Sequence, residues 1–173
     1  MDWLNYIHFK SERLATANLT QADATALFQI YSDKEAMKYH GSAPMESIED
    51  VYAMITAQLT THPISKLRLG IRLTANNQLI GTLLLVWNTK TRECEVGFSF
   101  GKDHWGNGYG QETLAMMEEK LSAVDRVQTI KAWSNRENQA SIRIFEKAGF
   151  SVIEQNEHPQ SYLFAKRIRH EQE

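Results

Sequence analysis

Hydrophobic and polar positions change their period several times along the chain, and each change marks an element. Residues 1 to 11 carry Trp3, Tyr6, Ile7 and Phe9, too apolar for a loose tail, and predict a short helix or a docked arm. Glu12 to Leu19 reads as a first strand. Thr20 with Asp23 three residues on predicts a capped helix start, and Ala24, Leu27, Phe28 and Tyr31 follow at helical spacing. The segment Ser32 to Met45 is polar and turn-rich, with Gly41 and Pro44. Ser47 and Asp50 repeat the capping pattern. Behind them Ile48, Val51, Tyr52, Ile55 and Leu59 form the buried stripe of a second helix, which His62-Pro63 ends. From Lys66 the period becomes two: Leu67 to Leu73 alternates, Asn76-Asn77 turns, and Leu79 to Trp87 is a nearly continuous apolar run suited to a central strand. Asn88 to Thr91 is the next turn and Arg92 to Phe100 the next strand, so three strands with short connections predict an antiparallel meander.

The stretch Trp105-Gly106-Asn107-Gly108-Tyr109-Gly110-Gln111 then joins that strand to a helix burying Leu114, Met117 and Leu121. Val127 to Trp133 is a strand reached through this helical crossover, so it should run parallel to the strand ending at Phe100. Asn138 opens a short helix, Gly149 closes it, and residues 150–154 and 160–167 pair as a last hairpin. Glycines at alternate positions at a helix start leave backbone N–H groups free to turn toward an anion, aided by the helix dipole. A tight strand-to-helix turn needs glycine for steric reasons as well. The spacing G-x-G-x-G departs from the dinucleotide fingerprint G-x-G-x-x-G, and Gln111-Glu112 stands where a triphosphate loop needs Lys-Ser/Thr.

Composition narrows the field. The 173 residues are 42% hydrophobic and 23% charged, as in one globular domain, here taken as 1–173 with a core at about 12–168. A net charge of -2 speaks against a nucleic-acid binder. Cys94 is the lone cysteine and the six histidines have no ligand-like spacing, so neither a disulfide nor a metal site is expected. No stretch has the apolar length of a membrane span and Met1-Asp2-Trp3 begins no basic leader, which predicts a cytoplasmic protein without membrane partners. Monomer and homodimer are both compatible with the sequence.

Trp105 to Thr113, together with Asn135-Arg136-Glu137-Asn138-Gln139-Ala140-Ser141-Ile142-Arg143-Ile144-Phe145-Glu146-Lys147-Ala148-Gly149-Phe150, resembles the GNAT acetyltransferases, and within them the branch of the ribosomal-protein N-terminal acetyltransferases RimJ and RimL. The order of elements from Glu12 to Arg167 agrees. Trp105 departs from the Gln or Arg usual at the head of the family's glycine motif. The resemblance implies an α/β (α+β) GNAT fold: a twisted, mixed, mostly antiparallel sheet of about six to seven strands, one parallel pair splayed apart, and about four flanking helices. It implies acetyl-CoA as co-substrate, its pyrophosphate held by Trp105, Gly106, Asn107, Gly108, Tyr109, Gly110 and Gln111. Its pantetheine arm would lie along Phe98, Ser99 and Phe100, with Asn138, Ser141, Phe145 and Lys147 beside it. As residues alone, Asn138 reads as a helix cap and Phe145 as core.

Acetyl transfer to an amine requires a neutral nitrogen, a donor for the developing oxyanion and a proton for the leaving thiolate. A backbone N–H near Val96 to Phe98 can supply the oxyanion contact. Glu95 matches an acidic position of the family and is the candidate base or amine anchor, with a solvated strand glutamate as the plain alternative. His104, beside the loop, is the second-choice base. Many GNAT enzymes place a tyrosine acid where Phe145 stands, so that route is excluded. Ser141, one turn earlier, is the candidate hydroxyl beside the thiol, whose own pKa of about 8.5 makes it a ready leaving group. Acceptor recognition is expected from residues 32–46 and the 154–160 turn, with Tyr31, Tyr39 and His40 as candidate lining. Asp33, Glu35, Glu46, Glu49 and Asp50 make the first region acidic, which would suit a cationic acceptor, although capping residues and a solvated face are the plainer reading of the same charges. The expected activity is N-acetylation of a primary amine such as a protein N-terminus. The alternatives are a small-amine enzyme for a polyamine, amino acid or aminoglycoside, and a non-catalytic acetyl-CoA-binding sensor.

Overall fold

A computed structural model describes residues 6–60 and 65–168. Seven strands form one sheet: β1 (Leu14–Asn18), β2 (Lys66–Leu73), β3 (Leu79–Asn88), β4 (Glu93–Phe100), β5 (Thr129–Asn135), β6 (Ser151–Ile153) and β7 (Ser161–Arg167). Their order is β1-β2-β3-β4-β5-β7-β6, and every neighbouring pair is antiparallel except β4 and β5. The helices are α1 (Ala24–Tyr31), α2 (Ile48–Thr60), α3 (Tyr109–Ser122) and α4 (Gln139–Lys147). The parallel pair arises where the sequence placed it, at the crossover from β4 through α3 to β5.

Side-chain alternation splits the sheet between two cores. Leu67, Leu69, Leu83, Leu85, Cys94, Val96, Ile130 and Ala132 point to the face covered by Leu114, Met117 and Leu121 of α3 and Ile142 and Phe145 of α4. The opposite face carries α1 and α2, whose Leu27, Ile30, Tyr31, Val51 and Ile55 form a second cluster with Leu79. The turn before α1 is set by Thr20 and Asp23: the Asp23 carboxylate accepts from Thr20 N–H at 2.9 Å and also pairs with Arg72 of β2. That contact ties the helical layer to the sheet.

Several boundaries move. Ile7 and Phe9 are buried, and Phe9 exchanges hydrogen bonds with Thr16, so this part of the N-terminal segment is a docked arm rather than a helix; Trp3 lies outside the described residues. Tyr52 was expected on the buried stripe of α2 but is 41% exposed; Val51 and Ile55 are the buried residues there, with Ile48 and Met54 packed against the same cluster. The His62-Pro63 stop falls outside the described residues. The strand expected from Val127 starts at Thr129, since Val127 still bonds back to Val124 in the turn after α3. Cys94 is fully buried, and burial followed by the nearby Glu95 charge pushes its thiol up to about 12, so it is a core residue.

Candidate active site

The functional site begins where β4 and β5 stop pairing. Their ladder runs from Glu93 opposite Thr129 to Glu95 opposite Lys131 and goes no further. Beyond it β4 keeps its outer partner β3 as far as Phe100, and β5 keeps β7 as far as Asn135. The two strands therefore part, and the backbone groups of their inner edges face a gap. The closed end is pinned by Lys131 Nζ on Glu93 Oε1 at 2.7 Å, and the Thr91 hydroxyl donates to Glu93 Oε2 at 2.9 Å. The lysine beside Glu93 holds its carboxyl below the usual range, against a smaller opposing effect of burial. A cleft of about 990 Å³ occupies the fork and opens on both faces of the sheet, with Thr82, Leu84 and Gly97 on the α1 side and Phe98, Phe100, α3 and α4 on the other.

The glycine loop forms the mouth on the α3 side. Gly106 and Gly108 have φ of 75° and 78°, a left-handed conformation that a side chain would strain. Gly108 is the N-cap of α3, and no side chain caps the helix. Glu112 N–H is the first to reach a carbonyl, that of Gly108 at 3.1 Å, so the N–H groups of Tyr109, Gly110 and Gln111 remain available at the positive end of the helix. Gly110 is needed for close approach: a Cβ there would lie 2.8 Å from Ile144 Cδ1 and 3.4 Å from Phe98 Cε2. Free N–H groups, an open turn and the cations Arg143 and Lys147 on the same cleft fit a diphosphate ligand.

A clamp holds this loop from outside the cleft. Glu112 accepts from Ser11 Oγ at 2.7 Å, from Arg13 N–H at 3.0 Å and from Arg13 Nε at 2.7 Å. The same guanidinium donates to the Asn107 carbonyl at 3.0 Å and lies 4.6 Å over the Tyr109 ring. Burial works against the Glu112 charge, but Ser11, the Arg13 amide and the guanidinium outweigh it, and the carboxyl sits below its ordinary pKa.

The structure gathers most of the expected cofactor residues on the cleft: Phe98, Ser99, Phe100, Trp105, Gly106, Gly108, Tyr109, Gly110, Gln111, Asn138, Ser141, Phe145 and Lys147 all line it. Asn107 does not, because its amide turns back to the carbonyls of His104 at 3.0 Å and Trp105 at 3.1 Å. Trp105 donates its indole N–H to Phe100 O at 2.9 Å, bracing the loop against the end of β4. Asn138 is both cap and lining residue, its side chain accepting from Ser141 N–H at 3.2 Å. Phe145 is buried against Phe164, Phe150 and Phe98 at ring distances of 5.2, 5.4 and 6.0 Å. Glu95 occupies the last paired position of the fork and is not among the lining residues; His104 is among them.

The acceptor half differs more from expectation. Tyr39 and His40 line the cleft, but Tyr31 is 1% exposed and lies behind it, its hydroxyl 2.8 Å from Thr82 Oγ1. His40 packs edge-on to the Tyr31 ring at 5.6 Å, and its Nδ1 is 3.0 Å from Ser42 Oγ. Burial, then repulsion from Arg68, pushes the His40 pKa below its ordinary value. Of the five acidic residues in that region only Glu35 lines the cleft, and it pairs with Lys102, as does Asp33. Sequence reasoning missed Arg68, Thr82, Leu84 and Ser134, all lining residues; Lys38 and Trp133 also line the cleft and fall in the 32–46 segment and the splayed strand where contacts were expected. Alternation did mark Arg68, Thr82 and Leu84 as sharing one face, but nothing marked that face as a binding surface.

The sequence matches the Acetyltransferase (GNAT) domain over residues 13–151. It is 30% identical over 143 residues to the uncharacterized N-acetyltransferase YoaA of Bacillus subtilis (strain 168), covering 82% of this chain and 81% of that protein. Among solved structures, the fold is similar to a spermidine N-acetyltransferase from Vibrio cholerae in complex with CoA and spermine, with TM-score 0.79, 17% identity and coverage of 91% and 97% of the two chains. It is also similar to RimL, a ribosomal L7/L12 alpha-N-protein acetyltransferase in complex with CoA, with TM-score 0.80, 15% identity and coverage of 94% and 98%. Likeness at these identities establishes the shared fold, and the domain match together with the forked sheet establishes the rest: the chain belongs to the GNAT acetyltransferases and is an acetyl-CoA-dependent N-acetyltransferase.

Proposed function

We propose that this enzyme acetylates the α-amine of a peptide or amino-acid acceptor by direct attack, with His40 rather than Glu95 as the base. The observation that carries this reading is His40, a cleft-lining imidazole whose pKa is pushed down by burial and by Arg68. It is neutral at neutral pH. In the tautomer whose Nδ1–H donates to Ser42 Oγ across their 3.0 Å contact, Nε2 keeps its lone pair. Such a weak base suits an α-amine, whose pKa of about 7.7–8.0 at a peptide N-terminus leaves a useful neutral fraction near pH 7.5. A lysine-type amine, at about 10.4, would ask more of it.

In the reaction the amine nitrogen attacks the thioester carbonyl carbon, the C–N bond forms and the C–S bond breaks. The nitrogen proton passes to His40. An unpaired backbone N–H on the inner edge of β4, between Val96 and Phe98, is the donor we assign to the oxyanion. The thiolate takes its proton from solvent or across the Ser141 hydroxyl, since Phe145 has none to give. Lys147 and the loop N–H groups hold the phosphates, and Asn138 with Ser141 fixes the start of α4 against the pantetheine arm.

Thermal unfolding with CoA, acetyl-CoA, ATP and NAD tests the cradle. Stabilisation by the CoA ligands alone is expected, about 2.7 kcal/mol at a hundred times the dissociation constant. Thiol release from acetyl-CoA with peptide N-termini and small amines tests the reaction. Binding without turnover of any acceptor would favour a sensor module. Loss of turnover in Glu95→Gln with His40→Gln still active would return the base to Glu95.

A further inference from the structure

We infer that the acceptor carries a carboxylate close to its amine, and that Arg68 on the acceptor side of the fork receives it. This rests on the acetyltransferase reading of the cleft and names the class of acceptor. Arg68 stands on β2 opposite Leu84, and Leu84 stands opposite Gly97 of β4, so the three form one row across the sheet and all three line the cleft. The row ends on the residue whose neighbours bound the fork, and a Cβ at Gly97 would touch only Leu84 at 4.0 Å, which leaves the floor between Arg68 and the fork low and open.

The guanidinium is half-buried and incompletely used. Of its five N–H donors one makes a hydrogen bond among the described residues, Nη1 to the Tyr31 hydroxyl at 3.1 Å, and the guanidinium lies 6.0 Å from the centre of the same ring. That hydroxyl is itself fixed by the buried Thr82, so Arg68 is held in place by two side chains with no charge. No carboxylate pairs with it among the described residues. The contrast within the same strand is direct: Arg72 pairs with Asp23, and Arg13, elsewhere, with Glu112. A partly buried cation without an anion is costly unless something else completes it. The planar fork matches a carboxylate in two-pronged geometry. Around it, Lys38 adds a second cation to the lining, and the two lining carboxylates already face protein cations: Glu35 pairs with Lys102, and the Lys38 charge interacts with both Glu137 and Glu35. Two sources share the required chemistry: the α-carboxylate of a free amino acid, and an acidic side chain at the start of a peptide.

The test uses the full chain saturated with CoA, with binding read by calorimetry and turnover by thiol release. The probes are matched pairs, glycine against glycinamide and a peptide beginning Asp against the same peptide beginning Asn, with spermidine as the cationic arm. The carboxylate member of at least one pair should bind about ten-fold or more tighter than its amide. The pair that discriminates identifies the source. Arg68→Gln should erase the difference without changing stabilisation by CoA, and Arg68→Lys should keep part of it. Equal binding within both pairs, discrimination that survives in Arg68→Gln, a preference for spermidine, or no saturable binding by any carboxylate would overturn the inference. If CoA itself fails to stabilise the protein, the acetyltransferase reading falls with it; if CoA stabilises and the pairs do not discriminate, only the assignment to Arg68 falls.

Discussion

Glu112 offers the sharpest test of how the glycine loop is held. Its carboxylate makes three hydrogen bonds and an ion pair of 2.6 Å to Ser11 and Arg13, and the two charged side chains are 19% and 46% exposed. Glu112→Gln keeps an oxygen for Ser11 and the Arg13 amide but presents an N–H₂ to the guanidinium. Because Arg13 is nearly half exposed, water takes over much of that lost contact, and the cost should be about 1 kcal/mol rather than the 3–5 of a buried pair. Glu112→Ala also strips the acceptor from Ser11 and the Arg13 amide, for a total of about 2 kcal/mol. At this chain length the melting point should fall by about 2–4 °C for each kcal/mol. CoA affinity should fall too, by up to about ten-fold, because Arg13 no longer steadies the Asn107 carbonyl and ligand binding must order the loop. The pH dependence has a definite sign. Glu112 titrates below its ordinary 4.5 in the folded chain, so its stabilisation is fully present above 4.5 and disappears as the pH falls through the lowered folded value. Urea unfolding of wild type and Glu112→Gln from pH 7 down to acid should show a constant gap that then closes. Equal stability at pH 7, or a gap that persists in acid, would refute the clamp.

Further outcomes follow from other parts of the site. Gly108→Ala places a side chain at φ 78° and should cost about 1–2 kcal/mol while weakening CoA binding, read by unfolding with and without ligand. Turnover should rise with pH through an apparent value below 6.5, the titration of His40, and level off above it. In Arg68→Gln that limb should move upward, toward 6.5, because one of the two causes of the depression is gone, whereas an unmoved limb would mean that another group titrates. Cys94 should resist thiol reagents in the folded protein, with labelling that tracks unfolding, since burial holds its thiol at about 12. Asp23→Asn should destabilise the fold by about 3 kcal/mol, because it leaves Arg72 largely buried without its carboxylate, and should leave CoA affinity untouched.

How much of this was legible in the sequence depended on whether backbone or side chains make the feature. The cofactor half is built of backbone: Gly106 and Gly108 exist for their φ values, Gly110 for the close approach of Ile144 and Phe98, and Asn138 for the cap of α4. Such needs restrict residue type at a fixed local spacing, so they show in a single chain. The parallel pair was legible for the same reason, since a strand, a helix and a strand in succession permit one handed connection. The clamp was not legible, because Ser11 and Arg13 meet Glu112 across about a hundred positions of sequence and each is an ordinary surface residue type.

The acceptor half shows where such reading stops. Arg68 and Arg72 are alternating polar positions of one strand and look alike in sequence. Their difference comes from the start and end of α1: Asp23 precedes that helix and takes Arg72, while Tyr31 closes it and offers Arg68 a hydroxyl instead of a charge. The acidic run from Asp33 to Asp50 would suit a cationic acceptor but reads more plainly as caps and a solvated face, and folding spends Asp33 and Glu35 on Lys102 and Asp50 on the Ser47 amide. Charge counted along the chain is thus a different quantity from the charge left over around the cleft after folding. Residual charge is what an acceptor meets, and on the β2 side of the cleft it is the guanidinium of Arg68, lodged beside a neutral His40 whose proton affinity it lowers. A carboxylate seated on Arg68 would cancel that repulsion and make His40 a stronger base only while the acceptor is bound, coupling recognition of the acceptor to its deprotonation.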